Sequence, residues 1–134
     1  MKQIKILLFT VVASLMFIGC GNNSKTPSEI AEKVLTAAKN LDFKILKQSV
    51  TETYIARLER LEKEMTEDIE QANRMKNIFE NVTFKIISET ISQDGNSAVI
   101  TIEVFNPDEG EDTFEKDIHL VKINGEWKVD DDPL

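Results

Sequence analysis

The sequence predicts an α+β fold in which three N-terminal helices cover one face of a curved, four-stranded antiparallel sheet. Apolar residues recur at steps of three and four as far as Phe79, which is the period of amphipathic helices. From Val82 onward they recur at every second position, which is the period of strands. Turn-forming sequences divide this second half into four segments. Because each helix has a single apolar stripe, the helices can cover only one face of the sheet.

The first two helices begin with recognisable capping residues. Thr26 is the predicted N-cap of the first helix, with Pro27 at the first helical position and Glu29 completing a capping box. Asp42 is the predicted N-cap of a second, shorter helix. The residues expected to face inward on these two helices are Ile30, Val34, Ala37, Ala38, Leu41, Phe43, Leu46 and Val50.

The third predicted helix, from Thr53 to Phe79, is the longest. Its apolar stripe and charged opposite face favour packing on the sheet of the same chain. A break near Thr66 is an open alternative, since this residue could cap a new turn. A coiled-coil seam is another alternative, although it would place Asp68 at a core position. The predicted stripe consists of Ile55, Leu58, Leu61, Met65, Ile69, Ala72, Met75 and Phe79.

Three turns separate the four predicted strands. They are residues 94–96, residues 106–110 and the dipeptide Asn124-Gly125. The alternation slips at Ile87 and again between residues 120 and 121, which predicts two bulges and therefore a curved sheet.

Parity along the last two strands predicts which of their side chains are buried. Phe114, Ile118 and Leu120 share one face of the third strand, and Trp127 and Val129 point the same way from the fourth. The acidic residues that follow, within 131–134, are expected to form a frayed tail.

The N-terminus has the pattern of an export signal. Lys2 and Lys5 precede a largely apolar stretch, residues 6–18, which is shorter than the roughly 20 residues of a membrane span. It ends in Phe17-Ile18-Gly19-Cys20, which resembles the lipobox of bacterial lipoproteins, where the cysteine receives lipid. The alternative is an uncleaved anchor or core helix in which Cys20 is incidental. The chain's single cysteine and the polar residues directly after it favour lipidation.

This interpretation divides the chain into four parts. Residues 1–19 are the predicted lipoprotein signal peptide and residues 20–25 a lipidated tether. Residues 26–130 form a single α+β domain, and residues 131–134 are the acidic tail.

Charge restricts the partners. The whole chain has 16 basic and 24 acidic residues, a net charge of −8, and residues 94–134 contain 12 of the acidic residues but only 3 basic ones. This composition argues against binding to nucleic acid and against electrostatic docking on anionic lipid.

Few residues suggest chemistry. The single histidine, His119, is expected to lie in water beside Glu115 and Asp117, although a strand bulge before it would turn the ring inward. Tyr54 and Trp127 are possible pocket-lining residues, since each joins an apolar body to one polar group, but core positions are commoner for such side chains. No catalytic residue and no metal ligand is predicted.

One turn crowds oxygen-bearing side chains together. Such oxygens suit Ca²⁺, but their spacing is not that of an EF-hand, so a solvated turn is the preferred interpretation. The residues concerned are Asn106, Asp108, Glu109, Glu111 and Asp112.

Several motifs together resemble a known family. Residues 95–102, the strand end Leu120-Val121-Lys122 and the terminal Gly125-Glu126-Trp127-Lys128-Val129 resemble small bacterial lipoproteins with a lumazine-binding-like domain of unknown function. These belong to the nuclear-transport-factor-2-like superfamily. The resemblance implies a cone-like, cystatin-like fold with a pocket at its open end. It implies no cofactor, and no catalytic motif of the enzymatic members can be placed here.

The expected function follows from the anchor and the implied pocket. We expect a lipoprotein of the bacterial cell envelope that is attached to a membrane through lipid, such as palmitate, on Cys20. The domain is expected to be a non-catalytic binding module for a small amphiphile or a protein partner. A pocket enzyme of the isomerase or dehydratase kind is the alternative, and it would need at least two ionisable groups inside an apolar cavity.

Replacing Cys20→Ala should leave an uncut precursor that is poorly retained by membranes, because durable anchoring requires acyl chains on that residue. Mass spectrometry of the wild-type protein checks the claim. An unmodified Cys20 with residues 1–19 still attached would contradict it.

Overall fold

The computed structural model of the protein describes residues 25–110 and 112–134. The predicted signal peptide, Cys20 and most of the tether lie outside these residues. The elements in chain order are α1 (Pro27–Asn40), α2 (Phe43–Ser49), α3 (Glu52–Glu67), α4 (Ile69–Glu80), β1 (Thr83–Ile91), β2 (Ser97–Phe105), a 3-10 turn (Pro107–Glu109), β3 (Thr113–Ile123) and β4 (Glu126–Val129). Helices followed by a four-stranded antiparallel sheet confirm the predicted α+β class. No helix among the described residues is both long and apolar enough to cross a membrane.

The predicted capping residues are confirmed. The Thr26 side chain accepts a hydrogen bond from the Glu29 backbone N–H at 3.2 Å, and Asp42 does the same for Ile45 at 3.2 Å. Each cap satisfies a helix N–H that has no partner inside the helix, and such a cap stabilises by about 1 kcal/mol. Both caps therefore set the start of their helix locally.

The helix predicted from Thr53 to Phe79 is divided into two helices that meet at Asp68, so the alternative of a break near Thr66 is correct to within two residues. The Asp68 side chain accepts a hydrogen bond from the Gln71 backbone N–H at 2.9 Å and so caps α4. Thr66, the residue considered as the cap, instead donates its hydroxyl to the Glu62 carbonyl at 2.8 Å within α3. The break removes the continuous seam that a coiled coil needs. It also changes the helical phase, so that Ile69 is 70% exposed instead of buried.

The sheet is a simple meander with the strand order β1-β2-β3-β4. The slip predicted at Ile87 is confirmed, since the β1–β2 register shifts between Ile86 and Ser88. The second predicted slip is wrong: the register runs without interruption through Leu120 and Val121 on both sides of β3. Val121 therefore faces away from Leu120, as ordinary alternation requires.

The core lies between the helices and one face of the sheet, which we call the inner face. Small side chains on α1, including Ala31 and Ala37, allow this helix to approach the sheet closely, and α1 contacts β1, β2 and β4. Fully buried side chains come from the helices and from the sheet alike. The largest are Leu46, Leu58, Ile100, Ile102, Leu120 and Val129.

The C-terminal segment, residues 130–134, is attached to the domain, so the expectation of a frayed tail is wrong. Asp132 pairs with Arg57 at 3.0 Å, and Asp131 accepts two hydrogen bonds from His119. Leu134 packs against the hydrophobic core. The acidic sequence predicted solvation, but these partners on β3 and α3 become available only in the folded chain.

Trp127→Ala should leave a poorly folded protein. Trp127 is 8% exposed and belongs to the core cluster. Truncating a buried aromatic residue costs about 3–5 kcal/mol, a large share of the roughly 5–15 kcal/mol that stabilises a small domain. Urea denaturation followed by circular dichroism measures the loss, with Trp127→Phe as the milder control. A stable Trp127→Ala variant would show that this ring is not a core anchor.

Candidate functional site

Two of the concave surfaces formed by the described residues lie at opposite ends of the sheet. We name them the apolar groove and the lysine groove. The apolar groove has a volume of about 340 Å³ and the lysine groove about 910 Å³, both within the range of roughly 300–1,000 Å³ found for ligand sites. They differ in the side chains that line them.

The apolar groove is a cleft at the end of the inner face where β2 finishes and β3 begins. Its buried lining comes from α1, the segment before β1, and all the strands except β1. These buried residues are Val34, Ala38, Val82, Ile102, Val104, Ile118 and Val129. Phe79 and Phe84 add aromatic surface. A cleft floored in this way suits an apolar ligand, since it removes apolar surface from water.

Two large apolar side chains at this groove remain in water. Phe114 was predicted to be buried, but it is 52% exposed, and Ile78 on α4 is 56% exposed. The β2–β3 register places Phe114 opposite Val104 and so on the inner face, as its parity indicated. Its exposure arises because the helices do not extend over this end of the sheet. Exposed apolar surface beside a cleft is typical of a binding site.

Charged side chains stand at the rim of the apolar groove. Lys116 lies opposite Ile102 in the β2–β3 register, which places a lysine on the otherwise apolar inner face beside Phe114. Lys39 and Glu109 also line the groove. Lys116 is exposed, so its ammonium group can remain hydrated while its alkyl chain borders the cleft.

The lysine groove lies at the other end of the sheet, between the β3–β4 hairpin and the ends of three helices. It brings together Lys25, Lys33, Lys47 and Lys128, of which only Lys25 and Lys33 are close to each other in the sequence. Lys47 pairs with Glu62 at 2.6 Å and Lys128 with Glu126 at 3.6 Å. The remaining lining residues are Ile30, Gln48, Ser49, Val50, Thr51, Glu52, Ile55, Ile123, Gly125, Glu126 and Trp127.

Trp127, predicted as a possible pocket residue, lines the lysine groove and is also part of the core. The ammonium nitrogen of Lys122 lies 5.4 Å from the centroid of its ring, within the range of a cation–π contact. Trp127 is buried, so it forms part of the wall of the groove.

Tyr54, the second predicted pocket residue, lines neither groove. It is half-buried on α3 and packs against the core. Partial burial first, and then the negative charges of Asp130, Asp131 and Asp132, raise the pKa of its hydroxyl above the ordinary value of 10.0. Both causes disfavour the phenolate, so the phenol of Tyr54 stays neutral at physiological pH.

His119 is exposed, as the alternation of β3 predicted, with 59% of its side chain accessible. Its partner is Asp131, whose carboxylate oxygen lies 2.9 Å from Nδ1 and accepts the His119 backbone N–H at 2.7 Å. The expected neighbour Asp117 instead accepts the Thr101 hydroxyl at 2.7 Å. His119 therefore helps to hold the C-terminal segment, a role that depends on residues twelve positions away.

The oxygen-rich turn after β2 has a structural role. Asn106 caps the 3-10 turn by accepting the Asp108 backbone N–H at 3.1 Å. Glu111 lies outside the described residues. Within the described ranges, no three carboxylate, thiol or imidazole side chains are close enough together to hold a metal ion.

A family model for a domain of unknown function, DUF4878, matches residues 18–130. The chain belongs to this family. The DUF4878 match includes every helix and strand described above, and it also includes Gly19-Cys20. No curated protein matches the chain.

A solved structure is similar in coarse outline to this DUF4878 protein. It is the intermembrane-space region of the chloroplast protein ARC6, 10% identical, with 80% of this chain and 95% of that chain covered at a TM-score of 0.37. A likeness of this size carries no inference about fold or function.

Sequence patterns identified neither groove as a site. The lysines of the lysine groove lie on or beside α1, α2 and β4, so no local sequence motif identifies them as a group. For the apolar groove a signal was present. Lys116 is a charged residue on the same face of β3 as the apolar residues Phe114, Ile118 and Leu120. A charged residue at an inward position of a strand indicates a place where the face is open to solvent.

Replacing Asp131→Asn and Asp132→Asn together should lower the pKa of Tyr54 toward 10.0, because it neutralises two of the three carboxylates that raise it. Tyr54 is the only tyrosine, so ultraviolet absorbance reports its ionisation alone. The pKa of Tyr54 is higher in the folded protein than in the unfolded chain. The contribution of Tyr54 to the free energy of unfolding is therefore complete below about pH 10 and is lost as the pH rises through the folded-state pKa. Asp117→Asn, which leaves both of these carboxylates in place, is the control. An unchanged titration in the double variant would contradict the charge coupling.

Proposed function

We propose that this protein is a lipid-anchored envelope lipoprotein whose domain binds a small anionic amphiphile in the apolar groove without catalysis. The observation that carries the proposal is the combination of an apolar floor with Lys116 at its rim. An amphiphile has an apolar body and a charged head, and this groove offers apolar surface for the one and an ammonium group for the other.

The buried lining favours binding over chemistry. The buried side chains of the apolar groove are all aliphatic, while its ionisable side chains stand at the exposed or half-buried rim. Asp131 and Asp132 at that rim are already engaged by His119 and Arg57. Isomerase or dehydratase chemistry needs two ionisable groups that converge inside the cavity. A binding module accounts for the arrangement without further assumptions.

The family resemblance is part of the same proposal. In the nuclear-transport-factor-2-like superfamily a curved sheet wraps helices into a cone with a pocket at its open end. The bulge at Ile87, the helices on the inner face and a groove at one end of the sheet support this assignment here. On this view the apolar groove is the open end of the cone.

The anchor is supported by the N-terminal sequence. A short basic region, an apolar stretch too short for a span and Gly19-Cys20 follow one another in the order of a lipoprotein signal. Two or three acyl chains on Cys20 would hold the protein durably, because each buried methylene contributes about 0.8 kcal/mol. The domain would then sit at the membrane, where amphiphiles are abundant.

Lys116→Glu should weaken the binding of a long-chain carboxylic acid by about tenfold or more, since a hydrogen bond to a charged group contributes about 1.5–3 kcal/mol. Fluorescence of parinaric acid, a naturally fluorescent carboxylic acid, measures the dissociation constant. Lys85→Glu is the matched control, because Lys85 is an exposed strand lysine that lies opposite Glu103 and away from the groove.

Two results would overturn the proposal. The first is wild-type protein that binds no long-chain acid. The second is equal weakening by Lys116→Glu and Lys85→Glu, which would indicate a general charge effect. A long-chain alcohol bound as tightly as the acid would remove the role of the head group while leaving an apolar ligand in place.

A further inference from the structure

We propose that the lysine groove docks the domain onto anionic lipid headgroups of the membrane to which it is anchored. This inference rests on the proposed lipid anchor at Cys20. The proposed partner is the membrane surface itself. The phosphate oxyanions of its lipids would pair with the lysine ammonium groups.

The first observation is that four lysines gather in one groove of an acidic chain, with Glu29 and Glu32 beside Lys25 and Lys33. The chain has a net charge of −8, but the lysine groove is lined by four lysines and two glutamates. Lys25 and Lys33 make no ion pair with any carboxylate of the described residues. Lys33 is exposed on the first turns of α1, so its ammonium group is available to a partner outside the molecule.

The second observation is the position of the tether. Lys25 lines the groove and is separated from Cys20 by five peptide units. A fully extended chain spans at most about 3.3–3.6 Å per residue, so the lipid cannot be further than about 18 Å from Lys25. An anchored domain therefore always holds this groove close to the headgroups.

The third observation is the separation of charge along the sheet. The β3–β4 hairpin lines the lysine groove, whereas the acidic turn after β2 lies at the other end of β3. β3 runs Thr113–Ile123, and at about 3.3 Å per residue the two ends are roughly 33 Å apart. The Debye length is about 8 Å at physiological salt, so the acidic end hardly weakens the attraction at the lysine end. It also favours the orientation in which that end points away from the membrane.

The net charge argued against docking on anionic lipid. A net charge, however, takes no account of where the charges lie. Lysine next to an anionic surface contributes about 1 kcal/mol, and this interaction decays within a Debye length. Only the lysines close to the anchor can take part. Ile123, which is 43% exposed in the same groove, adds apolar surface at the contact.

Lysine footprinting of the lipidated, full mature protein tests the proposal. The protein is reconstituted in vesicles of phosphatidylcholine alone or of phosphatidylcholine mixed with phosphatidylglycerol, treated with an amine-acetylating reagent and analysed by mass spectrometry. Lys25 and Lys33 should react about fivefold more slowly on the anionic vesicles, and high salt should restore their reactivity. Lys63, Lys76 and Lys85 should react equally on both and act as internal controls.

Variants separate the groove from general charge. Lys33→Gln should remove most of the protection of Lys25, whereas Lys76→Gln, the same change on α4, should leave it intact. Protection that is equal on both vesicle types would mean that nearness of the tether suffices, and would overturn electrostatic docking. Protection by inorganic phosphate without vesicles would reveal a small-anion site and also overturn it.

The anchor is tested separately in the same sample. Flotation with vesicles measures attachment before footprinting begins. A protein that floats but shows no protection refutes docking while the proposed anchor stands. A protein that does not float refutes the anchor, and with it the docking that rests on it.

Discussion

The junction between β4 and the turn that joins α2 to α3 connects the two layers of this fold. Val50 forms a parallel bridge with Val129, and the Thr51 backbone N–H donates to the Val129 carbonyl at 2.9 Å. The Thr51 hydroxyl then donates to Asp130 at 2.9 Å. Thr51 and Val129 are both buried, so these hydrogen bonds form where water does not compete. They hold the short edge strand, which has only one neighbouring strand in the sheet, against the helices.

Both grooves depend on that junction. Val50, Thr51 and Trp127 line the lysine groove on one side, while Val129 and residues 131–134 line the apolar groove on the other. The C-terminal segment leaves the junction at Asp130 and is held by Arg57 and His119. Loss of the junction would therefore deform both proposed surfaces at once, although we propose a different partner for each.

The two grooves, for which we propose different partners, differ in chemistry and in position. The lysine groove lies at the tether end and presents cations, whereas the apolar groove lies at the far end and presents aliphatic surface with Lys116 at its rim. A domain docked through the first would hold the second away from the headgroups, with its mouth open to the aqueous side. That arrangement suits a protein that takes an amphiphile from the aqueous phase or from another protein.

Elements governed by neighbouring residues were predictable from the sequence. The caps at Thr26 and Asp42, the turns around Gly95 and Gly125, and the bulge at Ile87 each depend on a few adjacent residues. Gly95 and Gly125 have φ values of +74° and +79°, which glycine adopts at little cost. The period of apolar residues predicted the inner face of β2 and the outward position of His119 for the same reason.

Features that depend on distant partners were not predictable. One local feature was also left undecided: the cap at Asp68 competed with a continuous apolar stripe, and the sequence left a break near Thr66 as an open alternative. The C-terminal segment looked frayed because its partners, Arg57 and His119, lie on other elements. Phe114 looked buried because parity reports the face of a strand but not how far the helices extend over it.

The sequence by itself determined the α+β class, the antiparallel arrangement of its strands and the capped starts of its first helices, because these follow from local period and local chemistry. Only the tertiary structure decided where charge and apolar surface gather. Four lysines on or beside α1, α2 and β4 meet in one groove, and aliphatic residues from helices and strands meet in another. A net charge and a periodicity can be read along the sequence. A binding surface depends instead on which distant residues the fold brings together.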